Sequence, residues 1–145
     1  MLIYMDMCCL NRPFDKQLQQ KVYLETEAKL FIQDKIRKGK FRLVWSYILD
    51  YENTANPDKD ARSSIQKWEI ISSLFVLESQ TLVESAKSIF IKGFGIKDSL
   101  HIACAIESKA QYFFTVDNGI LKRRNLIREI IIINPVEFIA MEDEI

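Results

Sequence analysis

The sequence is poor in the residues that most often advertise chemistry. It has a single histidine, His101, and its three cysteines, Cys8, Cys9 and Cys104, have no paired metal-ligand spacing. Together they make no zinc site, and an odd cysteine number is no disulfide framework. Four glycines and three prolines in 145 residues leave no flexible linker and no low-complexity tract. The chain, residues 1–145, therefore reads as one domain, long enough to bury a core without staples. No apolar run approaches the roughly 18 residues of a membrane span, and the apolar opening, Leu2 to Met5, is too short for a signal peptide. These absences predict a reducing, cytoplasmic setting and no membrane association. Charge of one sign is lacking too: 20 basic and 20 acidic residues give a formal net charge of zero. No whole-molecule field draws nucleic acid, so any such contact must come from local patches.

A hydrophobic fraction of 48% with 28% charged residues is ordinary for a soluble globular domain, and its order along the chain is informative. The segment GIKDSLHIACAIESKAQYFFTVDN, Gly95 to Asn118, reads as a glycine stop, a helix with Asp98 in its first turn, and an apolar strand running into Asp117. The N-terminus repeats the device, Leu2 to Met5 running into Asp6, with CCLNRPF after it expected as a loop. Helical spacing is expected from about Asp15 to Lys38, ended by Gly39, then a strand over Phe41–Trp45 and a helix holding Ser46, Asp50 and Glu52. Further helices carry Ala61, Ile65, Trp68 and Phe75, then Leu82, Ala86 and Phe90. Leu74–Leu77 between them is too short to assign by periodicity. Ile130–Ile133 is a last strand, and Pro135 opens a helical turn. Strands that are apolar throughout and alternate with helices predict a three-layer α/β/α sandwich around a mostly parallel sheet.

Parallel strands end on one edge, so Asp6 and Asp117 converge there if their strands are neighbours. Asp98 and Glu52 join them as helix-borne acids, each of which alone would read as a cap or a solvated side chain. Gathered carboxylates do not all stay ionised unless a cation or protons offset them. Oxygen-only donors select Mg²⁺ or Mn²⁺, ions that hold phosphate oxygens and acidify a bound water. Phosphodiester hydrolysis is the expected chemistry.

MLIYMD, SYILDYEN, GIKDSLHIACA and FFTVDNG stand in the order and approximate spacing that resembles the PIN domain family. The resemblance spans essentially the whole chain and implies a metal-dependent nuclease acting on RNA, of the kind that includes toxins of bacterial toxin–antitoxin pairs. It implies Asp6, Glu52, Asp98 and Asp117 as the metal-binding acids, with Thr115 as the hydroxyl beside Asp117. A cognate antitoxin and a homodimer are the implied protein partners. Met7 departs from the pattern, because members commonly carry Thr or Ser directly after the first acid.

Arg12, Lys122, Arg123 and Arg124 are candidate contacts to the nucleic-acid backbone, against a reading as a solvated basic face. His101 is expected as a structural hydrogen-bonding residue and the cysteines as inert thiols. Trp68, Phe75, Leu82 and Phe90 are expected to form either core or a pairing surface. Two other readings compete: a non-cleaving module that binds RNA or a protein, and a phosphoacceptor receiver domain. The latter would want paired acids after the first strand, which Met5-Asp6 does not supply.

Overall fold

The computed structural model describes residues 1–143. Its five strands are β1 (Leu2–Met5), β2 (Arg42–Ser46), β3 (Leu74–Val76), β4 (Tyr112–Phe114) and β5 (Ile131–Ile133). They form one sheet in the order β3-β2-β1-β4-β5, every neighbouring pair parallel. Such a sheet buries both faces. Ile3, Tyr4, Leu43, Val44, Trp45, Phe113 and Phe114 are accordingly almost fully enclosed, while Leu74, Phe75 and Ile131 on the edge strands keep partial exposure.

The helices are α1 (Met7–Asn11), α2 (Gln20–Arg37), α3 (Tyr47–Thr54), α4 (Lys59–Ile71), α5 (Gln80–Ile91), α6 (Ile96–Glu107), α7 (Asn118–Leu121) and α8 (Pro135–Asp143). They cover the sheet as the outer layers of an α/β/α sandwich, with α5 packed on α6, α2 on α8 and α3 on α4. Within the ambiguous Leu74–Leu77 segment, Leu74–Val76 is an edge strand, pairing Val44 with Leu74 and Ser46 with Val76.

The expected loop after Asp6 is instead α1 followed by a 3₁₀ turn at Arg12–Phe14. Asp6 itself nucleates α1, since its side chain accepts from the Cys9 amide at 3.0 Å and satisfies an otherwise orphaned donor. α2 starts at Gln20, later than Asp15, and ends in a Schellman motif in which Lys40 N–H bonds Lys35 O at 2.9 Å and Gly39 N–H bonds Ile36 O at 3.0 Å. Gly39 takes φ +75°, which requires a residue without a Cβ or one that bears strain.

The strand order decides where a site can form. The chain runs outward from β1 through β2 to β3, then returns to place β4 on the other side of β1. The winding reverses between β1 and β4, and the crevice at the carboxyl ends of those two strands is the topological switch point of the sheet.

Candidate active site

β1 and β4 deliver their acids to that crevice. Met5 pairs with Phe114, and Asp6 N–H donates to Phe114 O at 3.2 Å, which sets Asp6 beside Thr115. Thr115 is wholly buried and donates from Oγ1 to Asp6 Oδ2 at 2.6 Å, while the same oxygen accepts from Asp117 N–H at 3.1 Å. One hydroxyl therefore fixes both strand-end acids. Asp117 is exposed and caps α7, its Oδ1 accepting from Gly119 N–H at 2.7 Å and Ile120 N–H at 3.2 Å. A Cβ at Gly119 would stand 3.0 Å from that oxygen, so glycine lets the cap close.

Asp98 is the third residue of α6, whose cap is Gly95. Burial holds its carboxyl above the usual carboxylate range, and the negative charges of Asp117, Asp6 and Glu52 push it the same way. Acids from three other segments thus act on the carboxyl of α6. Asp6, 3% exposed, is also raised by burial, opposed chiefly by hydrogen bonds from Thr115 and Cys8.

Glu52 reaches the crevice through a chain of hydrogen bonds in which spacing alone reveals only His101. His101, 2% exposed, pairs through Nε2 with Glu52 Oε1, and its Nδ1 lies 2.6 Å from Tyr4 Oη, which lies 2.7 Å from Ser46 Oγ. An ionised Glu52 can only accept, so His101 Nε2 donates; with a neutral ring, Tyr4 then donates to Nδ1 and Ser46 donates to Tyr4. The oxygen of Ser46 caps α3 by accepting from Leu49 N–H at 3.2 Å. His101 is the structural histidine expected, and it is a positioning residue for Glu52. Asp50, the alternative to Glu52, faces Glu69 on α4 instead.

Cys8 occupies the role left open by Met7. Met7 is buried in the core, while Cys8 Sγ lies 3.0 Å from Asp6 Oδ1 and donates to it. Burial, followed by the charge of Asp6, pushes the Cys8 thiol far up, so it stays protonated and is a donor, not a nucleophile. Among the cations, Arg12 is committed to Glu25 at 3.0 Å and Asp15 at 2.9 Å, and Arg124 to Glu137 at 2.9 Å. Arg123 donates to Gly119 O at 3.1 Å beside the Asp117 cap, and Lys122 is exposed next to it.

Among the described residues, no group of three or more His, Cys, Asp and Glu stands ready to hold a metal ion as the side chains lie. The reason is visible at Asp6, whose two oxygens are turned onto Thr115, Cys8 and the Cys9 amide. The donor chemistry nevertheless fits a hard divalent ion. The set is all carboxylate, and the charge that raises Asp98 is the charge such an ion would offset.

These features define a class: a three-layer α/β/α domain built on an all-parallel five-stranded sheet, with acids at its switch point. The fold is similar to that of VapBC2 from Rickettsia felis, crystallised bound to a DNA fragment from its promoter, with a TM-score of 0.57 and 16% identity over 92% of this chain and 98% of that chain. It is similar also to PAE2754 from Pyrobaculum aerophilum, with a TM-score of 0.50 and 16% identity over 98% of this chain and 97% of that chain. No family model matches the sequence, and no curated protein does. No helix among the described residues is long and apolar enough to cross a membrane.

Proposed function

We propose that the chain is a metal-dependent endoribonuclease that hydrolyses RNA phosphodiester bonds and acts as the toxin half of a toxin–antitoxin pair. The observation that carries this reading is the meeting of the strand-end acids Asp6 and Asp117 on the single Thr115 hydroxyl at the switch point, beside an Asp98 carboxyl raised by burial and by the charges of Asp117, Asp6 and Glu52. Asp6, Glu52, Asp98 and Asp117 would hold the ion. A bound Mg²⁺ or Mn²⁺ supplies charge neutralisation and an acidified water. Thr115 and Cys8 orient Asp6, Thr115 and the Gly119 amide orient Asp117, and His101 with Tyr4 fixes Glu52. Lys122 and Arg123, beside the Asp117 cap, are the cations best set to hold the flanking phosphates, whereas Arg12 and Arg124 are already paired with acids.

The likeness to VapBC2 supports a cognate antitoxin as partner. Phe90, 50% exposed, and Ile96, 70% exposed, border an apolar cavity with Tyr47, Val83 and Leu100, which supports pairing of two copies through α5 and α6. In a cleavage assay on single-stranded RNA with Mn²⁺, the wild-type chain is expected to cut, and purified Asp98→Asn or Asp6→Asn to lose cutting while melting cooperatively. Cutting by either variant at the wild-type rate would remove the mechanism.

A second reading, a non-cleaving module that binds RNA or a protein, is favoured by the inward turn of Asp6. Saturable Mn²⁺ binding with no cleavage of any RNA would select it.

A further inference from the structure

Between α2 and α4 lies a cavity of about 450 Å³ whose lining residues include no acid. Lys29, Gln33 and Arg37 stand one turn apart along the facing stripe of α2, and Lys67 and Trp68 face them from α4. Lys29 is 2% exposed and Gln33 3% exposed, yet both line this space. The Gln33 Nε2 amide is buried with no hydrogen-bond partner. Lys29 has no carboxylate partner among the described residues either: Glu25, one turn before it on α2, is taken by Arg12 at 3.0 Å and by Asn134 at 2.6 Å. Its surroundings are the Cys9 thiol, Arg37 and the Trp68 ring, whose centroid lies 5.9 Å from Nζ.

An unpaired buried cation beside an unpaired buried amide donor is costly in both cases, and a bound anion would relieve both. Burial brings the Lys29 ammonium down to about 8, with Arg37 pushing the same way. We propose that this cavity binds a phosphate monoester on a small organic molecule, with Lys29, Arg37, Lys67 and the Gln33 amide around the phosphate. Three cations and an amide donor outnumber the two oxygens of a carboxylate and match the several acceptors of a phosphate. The volume is in the range of small-molecule sites and exceeds what a bare phosphate fills. Arg37 already covers the Trp68 ring at 4.9 Å, which leaves Phe14, 43% exposed, as the aromatic wall for the organic body.

None of the lining residues is one of the four acids or a hydrogen-bond partner of theirs, so the test is made in EDTA. The wild-type chain is titrated with inorganic phosphate, adenosine 5′-monophosphate and adenosine while the Trp68 indole N–H resonance is followed. The nucleotide should saturate, phosphate should compete with it more weakly, and adenosine should not bind. Lys29→Met should weaken nucleotide binding about tenfold or more, and Lys67→Ala, at an exposed position, should weaken it several-fold without moving the melting temperature. Asp98→Asn should bind as wild type does. Absence of saturation by either phosphate probe up to about 10 mM, adenosine binding as tightly as the nucleotide, or affinity unchanged in both lysine variants would overturn the proposal.

Discussion

Thr115 is the residue through which the two strand-end acids communicate, because its single hydroxyl donates to Asp6 and accepts from the Asp117 amide. Thr115→Val keeps the shape, strands a buried carboxylate oxygen and an amide, and is expected to cost about 1–3 kcal/mol in urea unfolding. A loss below about 0.5 kcal/mol would mean the hydroxyl is not their anchor. Asp98 gives the opposite sign. Its folded value lies above its unfolded one, so the folded state holds a proton that the unfolded state has released. Stability is therefore full below about pH 4 and falls as pH rises through the raised value. Asp98→Asn removes that decline and should melt higher at pH 7 without metal. The gain is limited by about 0.3–1 kcal/mol of lost helix-dipole interaction at the start of α6. A lower melting temperature for the variant at both pH 4 and pH 7 would contradict the repulsion. The strand-end acids were legible because apolar runs stop on them, but Cys8 was not, since a thiol beside an acid has no sequence signature.

At the scale of elements, α6 ends as α2 does, with Ala110 N–H bonded to Ala105 O at 3.2 Å and Lys109 N–H to Ile106 O at 3.0 Å. The residue in the left-handed position is glycine in α2 but Lys109 in α6, at φ 62°. Lys109→Gly should stabilise by about 1 kcal/mol, a rise of about 2–4 °C in Tm; an unchanged Tm would show that the cap carries no strain. The segment after α7 holds the basic candidates. Lys122→Ala with Arg123→Ala should weaken RNA binding and reduce the slope of log K against log salt by about 0.7 for each phosphate no longer neutralised. An unchanged slope would return both side chains to the solvated face. Helix α2 shows where periodicity misleads. Glu25, Lys29 and Gln33 are polar residues at helical spacing, yet all three are buried, Glu25 against Arg12 and Asn134. Apolar spacing is no surer a guide, since Leu18, just before the helix, and Phe31 within it are 88% and 44% exposed.

For the whole molecule, alternation of helices with uniformly apolar strands predicts the three-layer sandwich, and the observed sheet agrees. The strand order could not be read the same way, since nothing in Leu2–Met5 or Tyr112–Phe114 says that they are neighbours. That adjacency makes the acids a site: it turns strand ends far apart in sequence into one crevice at the reversal of winding. The proposed activity depends on Asp6, Glu52, Asp98 and Asp117 sharing a divalent ion there. The most direct test is Mn²⁺ titration of the wild-type chain and of Asp98→Asn, read by calorimetry and by melting temperature. Saturable binding is expected for the wild type, with a gain of about 2.7 kcal/mol at 100-fold excess over Kd, and neither effect in the variant. Wild-type melting indifferent to Mn²⁺, with no saturable heat, would contradict a shared ion.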